Sequence, residues 1–254
     1  MTEKYDRRTP PFSIEPLLKQ FNVAEVRQRL LTHDARLIQD GGRLTIEVNS
    51  AFPGVRQRLS AAHELAHLIV SEYSPISGDR GNESVIESLC DHVAGMLLVP
   101  EWALHSYFQQ SLSLGGWQSG IRCSTVLEAA AVFDVSVDVM ARRIFQDLSL
   151  SPATVAVIWR YGPSSVNPAA ERALRVASAW RSAANRRFIP RNKTAPPDSV
   201  IFTAYQEGGV FCREEELSLG AVKGRFTVEA MGFQWFSMRR GARPARAVLS
   251  LLTS

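Results

Sequence analysis

The sequence predicts an α+β fold, and three observations carry that expectation. Apolar residues recur at steps of three and four over 55–71 and again over 83–99, the mark of two amphipathic helices. Residues 35–49 instead alternate around Asp40-Gly41-Gly42, as a β-hairpin does. Beyond Ser151 the chain turns to Val, Ile and aromatic runs separated by Gly and Pro. At 254 residues, 45% apolar and 21% charged, the composition is that of a globular protein of one large or two modest domains.

The elements follow in order. Residues 1–12 read as a flexible lead-in. Ser13, with Glu15 and Pro16 behind it and Leu17, Leu18 and Phe21 beyond, predicts a short capped helix ending near Asn22. Residues 24–31 read as a second helix. After the hairpin, Pro53 and Gly54 break the chain, and the next helix presents Leu59, Ala62, His63, Ala66, His67 and Val70 on one face. A polar loop over 74–82 leads to the following helix, whose inner face is Ile86, Cys90, Val93, Ala94 and Leu97 and which Pro100 ends. Past Gly115-Gly116, helices over 125–133 and 137–148, joined by Asp134-Val135 with Ser136 as N-cap, have helix-turn-helix spacing. The remainder predicts a strand over 154–161, a helix from Asn167 and Pro168 to about 185, and strands over 200–205, 210–212, 226–231, 234–238 and 247–251. Four parts result: the lead-in, a core over 13–105, a helical module over 106–150 and an α+β domain over 151–254.

Composition excludes several classes. No apolar run approaches the roughly 18 residues of a membrane span, and the first residues carry charge without an apolar h-region, so a cytoplasmic protein is expected. Cys90, Cys123 and Cys212 are too few and too scattered for a disulfide framework. Charge is divided unevenly: residues 1–150 hold 14 Lys+Arg against 18 Asp+Glu, and the remainder 15 against 7. The basic second half faces solvent on the simplest reading, because no basic and aromatic interleaving there matches a nucleic-acid module.

Residues 63–67 read His-Glu-Leu-Ala-His, an HExxH sequence on a helix. Four residues are little more than one turn, so His63 and His67 share a face and can offer two imidazole nitrogens to one metal, of which zinc is the natural choice. A catalytic zinc takes a third protein ligand and leaves one position for water. Glu87, on the next helix after a reversal, suits that role better than Glu83, whose place at the helix N-terminus is explained by the dipole alone. Asp91 lies one turn beyond Glu87 and is positioned to accept the other ring N–H of His63. Glu64, beside the metal but off it, is the candidate acid/base for amide hydrolysis. Leu44, Thr45, Ile46, Glu47, Val48 and Asn49 form the strand before this helix; at a sheet edge they would align an extended peptide by strand addition. His105 and Tyr73 are secondary candidates for an electrophilic partner.

The stretch TIEVNSAFPGVRQRLSAAHELAHLIV, followed by ESLCDHVAGMLLVP, resembles the ImmA/IrrE (DUF955) family of bacterial metallopeptidases over about residues 12–148. The resemblance implies a gluzincin-like core with a small antiparallel sheet. His63, His67 and Glu87 would be its zinc ligands, Glu64 its catalytic acid/base, and Asp91 the residue at the family's Asn position. It further implies cleavage of a helix-turn-helix transcriptional repressor in stress response or mobile-element control. Departures are Leu59 for Phe, Ala66 for Gly, Cys90 for Ala, Val93 for Phe and Val99 for Met; none removes a ligand. Some members carry a GAF-like sensor after the helical module, and 151–254 is the candidate for such a domain, with an unknown small-molecule or protein activator.

Two other classes compete. A DNA-binding or partner-binding regulator would act through 124–148, although only Arg142 and Arg143 are positive there, and Asp134 and Asp138 suit phosphates badly. A ligand sensor with a latent peptidase core would depend on the C-terminal half.

Overall fold

The computed structural model describes residues 9–73, 83–113, 120–167, 169–220, 222–235 and 245–253. The expected loops over 74–82 and at Gly115-Gly116, like the end of the expected strand over 234–238, lie outside these. Among the described residues the architecture is mixed α+β with two sheets, and the chain divides into two compact units. The first takes the described residues up to 113 together with 130–136; the second takes 120–129, 137–235 and 245–253.

The first unit begins with α1 (Glu15–Gln20), where the Ser13 hydroxyl accepts the Glu15 N–H and Pro16 occupies the first turn. Three strands follow: β1 (Val23–Arg29), β2 (Ala35–Asp40) and β3 (Arg43–Asn49). Residues 24–31 are therefore not helical. Ala, Glu, Arg and Gln favour a helix locally, but pairing with β3 and the Arg27 to Glu47 ion pair outweigh that preference. The β2–β3 hairpin turns on Gly41 and Gly42, both at positive φ, with Asp40 opposite Arg43.

Sheet order is β1-β3-β2, with β1 parallel and β2 antiparallel to β3. The sheet is thus mixed, not antiparallel as expected. The edge position expected of Leu44, Thr45, Ile46, Glu47, Val48 and Asn49 is corrected too: β3 is the central strand and is paired on both sides. Ile46 and Val48 are core residues. Asn49 is buried and clamps the chain, donating to the Leu31 and His33 carbonyls at 2.8 Å each and accepting from the Ala51 N–H at 3.0 Å. Glu47 is buried on the opposite face and gathers Arg27 (3.0 Å), Arg29 (3.7 Å) and Arg36 (2.7 Å). The Arg36 hydrogen bond, joined by Arg27 and opposed by burial, holds the Glu47 carboxyl below the usual carboxylate range.

Helix α2 (Gly54–Tyr73) covers this sheet, with Ala61 and Leu65 in its core and Leu68 and Ile69 packed against it. Helix α3 (Glu83–Leu98) packs on α2. Its buried residues are Cys90, Ala94, Gly95 and Leu98, a face rotated slightly from the expected one because Val93 and Leu97 are only half-buried. Helix α4 (Glu101–Ser113) follows the Pro100 break.

Helix α5 (Cys123–Val132) comes next, and α6 (Val137–Ala141) runs directly into a π-helical stretch at Arg142–Asp147, so the single helix expected over 137–148 is divided. The second unit's sheet contains β4 (Thr154–Gly162), β5 (Ala173–Arg181), β6 (Val210–Leu219), β7 (Val222–Trp235) and β8 (Ala245–Thr253) in the antiparallel order β5-β4-β8-β7-β6. The Ala-rich segment expected to be a helix is β5; Leu174, Val176 and Ser178 are buried at period two. The strand expected over 200–205 is instead α7 (Val200–Glu207), because its first turn is satisfied so completely. Ser199 caps it, and buried Glu215 accepts the Val200 N–H at 2.7 Å and the Ser199 hydroxyl at 2.6 Å. The strands expected over 226–231 and 234–238 are one strand, β7, continuous through Gly232; a Cβ there would meet the Ala204 carbonyl oxygen at 2.6 Å.

Because folding lowers the Glu47 pKa, its contribution to stability is complete above the unfolded value near 4.5 and is lost as pH falls through the folded one. Glu47→Gln lowers the melting temperature at neutral pH and flattens the acid limb of the stability profile. Thermal melts from about pH 3 to 7 check this; an unchanged acid limb refutes it.

Candidate metal centre

The HExxH residues fall in the interior of a 20-residue helix, far from fraying ends, with Ala62 and Ala66 fully buried beside them. Small residues at these places, and Cys90 and Ala94 on α3, allow the two helices to approach closely. His63 and His67 meet edge to face, with ring centroids 4.8 Å apart and planes at 73°. The two Nε2 atoms lie 3.1 Å from one another. Glu87 completes a triangle, with Oε2 at 3.2 Å from His63 Nε2 and Oε1 at 3.4 Å from His67 Nε2.

These spacings fit a metal. Ligands at about 2.0–2.1 Å from a tetrahedral zinc stand roughly 3.3 Å from one another. Among the described residues, His63, His67 and Glu87 are the group whose donor atoms converge, all within 4.8 Å. Their chemistry argues the same way. Asp91 Oδ1 is 2.9 Å from His63 Nδ1, so in the neutral ring the proton sits on Nδ1 and the Nε2 lone pair faces another nitrogen and a carboxylate. A cation placed between these groups would satisfy all of them at once. Without a metal a proton serves: the Asp91 hydrogen bond first, then the charges of Asp91, Glu87 and Glu64, raise the His63 pKa above 6.5 against the effect of burial.

Glu64 is half-buried beside the triangle, and its pKa is raised above 4.5. Burial is the main cause, the two histidines and a backbone hydrogen bond from Leu37 pull it down, and Glu87 adds to the rise. Leu37 belongs to β2, which is an edge strand. The sequence places peptide alignment on β3, the strand next to the helix in the chain; the edge strand beside Glu64 is β2. Only sheet order could have revealed this.

Cys90 is fully buried on α3 with Sγ 3.4 Å from His67 Nδ1. Burial, followed by the charges of Glu87, Asp91 and Glu64, pushes its thiol up to about 11. The centre is open on one side, Glu87 and Asp91 being more than half exposed. Of the secondary candidates, Tyr73 packs edge-on against Phe21, and His105 pairs with Glu101 along α4. A cavity of about 590 Å³ in the same unit, lined by Phe12, Leu18, Val26, Val48 and Arg58 among others, shares no residue with the centre.

Two imidazoles and a carboxylate from adjacent helices, with a further glutamate beside them, are the donor set of the HExxH metallopeptidases. The chain belongs to the Peptidase_M78 family, a metallopeptidase family whose IrrE N-terminal-like domain matches residues 17–145. Among curated proteins none matches the chain. Its fold is similar to that of a solved Mycobacterium tuberculosis transcriptional regulator, with a TM-score of 0.62 over 97% of this chain and 71% of that one, at 14% identity. Among the described residues no helix is long and apolar enough to cross a membrane.

Purified protein is expected to bind one zinc per chain, and His63→Ala or Glu87→Ala to abolish it. Asp91→Asn weakens binding by about 10- to 100-fold. Protons compete for His63, so affinity falls as pH drops through its raised pKa. Metal analysis and chelator competition across pH measure each effect; stoichiometric zinc retained by His63→Ala contradicts the assignment.

Proposed function

We propose that this protein is a zinc-dependent endopeptidase of the ImmA/IrrE type that acts in the cytoplasm on a helix-turn-helix transcriptional repressor, in a regulated stress or mobile-element response. The observation that carries the reading is the convergence of His63, His67 and Glu87 with Glu64 alongside. Membership of a peptidase family implies a protein substrate, and similarity to a transcriptional regulator suits a regulatory setting.

Zinc, held by the two imidazoles and the Glu87 carboxylate, would supply a Lewis acid and an acidified water. Every other role falls to the chain. Asp91 fixes the His63 tautomer. Glu64 takes the proton from the attacking water and returns it to the leaving amine; its raised pKa brings it nearer the neutral range, where a carboxylate exchanges protons most readily. The outer edge of β2, which includes Leu37 beside Glu64, is where an extended peptide would add as a further strand.

The second unit is proposed as a sensor domain, GAF-like in role, through which a small molecule or protein activates the core; a wholly latent core is the alternative. Direct DNA binding through 124–148 is disfavoured by how its charges are used. Arg143 and Asp147 pair at 3.1 Å with both side chains 3% exposed, Arg142 lies over the Trp180 ring, and Asp138 holds Arg160 at 2.7 Å and Ser178 at 2.5 Å.

Glu64→Gln retains zinc and loses cleavage of the co-expressed cognate repressor, with a rate at least about 100-fold below wild type. Identical repressor levels and regulation with both proteins would show that the chain works by binding alone.

A further inference from the structure

The two imidazoles of the centre are not held alike. His63 Nδ1 meets a carboxylate, Asp91, at 2.9 Å. His67 Nδ1 meets a sulfur, that of Cys90, at 3.4 Å, within reach of an N–H···S hydrogen bond. Cys90 sits three residues after Glu87 and one before Asp91 on α3, and none of it is exposed to solvent.

We propose that Cys90 is a positioning residue for the metal centre: its buried sulfur accepts the Nδ1–H of His67 and so keeps the His67 Nε2 lone pair turned toward His63 and Glu87. This rests on the metal-site reading above. A ring nitrogen cannot both bind a metal and carry a proton, so whatever holds the proton on Nδ1 determines that Nε2 is the ligand. His67 Nε2 already lies 3.1 Å from His63 Nε2 and 3.4 Å from Glu87 Oε1, which leaves Nδ1 as the nitrogen in need of an outer partner.

Local charge explains why that partner is a thiol. Glu87 and Asp91 occupy the same face of α3, and Glu64 stands across from them. A third carboxylate between them would face like charges on every side, whereas a thiol accepts a hydrogen bond and adds no charge. The same geometry excludes Cys90 as a ligand to this metal, because its sulfur approaches the nitrogen of His67 that faces away from the triangle. His63, backed by an anion, is then the stronger donor, and His67, backed by a neutral sulfur, the weaker.

The test combines three measurements on full-length protein. Long-range proton–nitrogen NMR of the zinc-loaded wild type is expected to show a slowly exchanging Nδ1–H on His67, with Cys90→Ala losing that protection. Chelator competition is expected to give Cys90→Ala a zinc dissociation constant about tenfold higher, with Cys90→Ser, which keeps an acceptor, nearer to wild type. The cobalt-substituted wild type is expected to lack the intense near-ultraviolet thiolate-to-metal absorption. Unchanged Nδ1–H exchange and affinity in Cys90→Ala overturn the proposal, as does a strong thiolate–cobalt band, which would make the sulfur a ligand. If the wild type binds no zinc, the metal-site reading fails and this proposal falls with it; zinc bound with His67 Nδ1–H unprotected overturns the proposal alone. Should Cys90→Ala not fold, the wild-type Nδ1–H exchange and Cys90→Ser retain the same power to refute.

Discussion

Three lone pairs converging within hydrogen-bond distance of one another are the constraint around which the first unit is organised. His63 Nε2, His67 Nε2 and a Glu87 carboxylate oxygen lie so close together that one cation among them would satisfy all three. Holding them there requires two helices in close contact, which the alanines of α2 and the small residues of α3 permit. It also requires α2 to be seated firmly, and the three-stranded sheet beneath provides this through Ile46, Val48, Ala61 and Leu65.

The site was more legible in the sequence than the fold that carries it. Two histidines at i and i+4, and a glutamate and aspartate at i and i+4 on the next helix, are local patterns, and local geometry brought each to the expected neighbour. What escaped was non-local. Residues 24–29 have the composition of a helix and became a strand because β3 offered a partner; β5 repeats the lesson, with its alternation of Leu174, Val176 and Ser178 hidden among alanines. Segment 200–205 errs in the opposite sense. Its β-branched residues suggest a strand, but Ser199 and the distant Glu215 together satisfy the first turn of a helix. No window of sequence could show that β3 lies between two strands, and so its central position was not legible.

Charge gave a similar lesson. The second half carries the basic excess, and several of its arginines are engaged within the fold. Arg160 is paired with Asp138, Arg213 with Glu215, and Arg175 and Arg181 cap the carbonyls of Asn192 and Asn185. Net charge alone therefore does not say which arginines are available to a partner.

Asn49 ends the central strand at the seam where the sheet hands over to the helix bearing the histidines. Its one amide grips Leu31 and His33 in the connection from β1 to β2 and Ala51 ahead of α2, two stretches that no continuous secondary structure joins. Fraying of the segment between β1 and β2 therefore cannot proceed without loosening the approach to α2, and the outer loop and the root of the helix open together or not at all. A short polar side chain in this way makes two distant pieces of backbone a single cooperative hinge point.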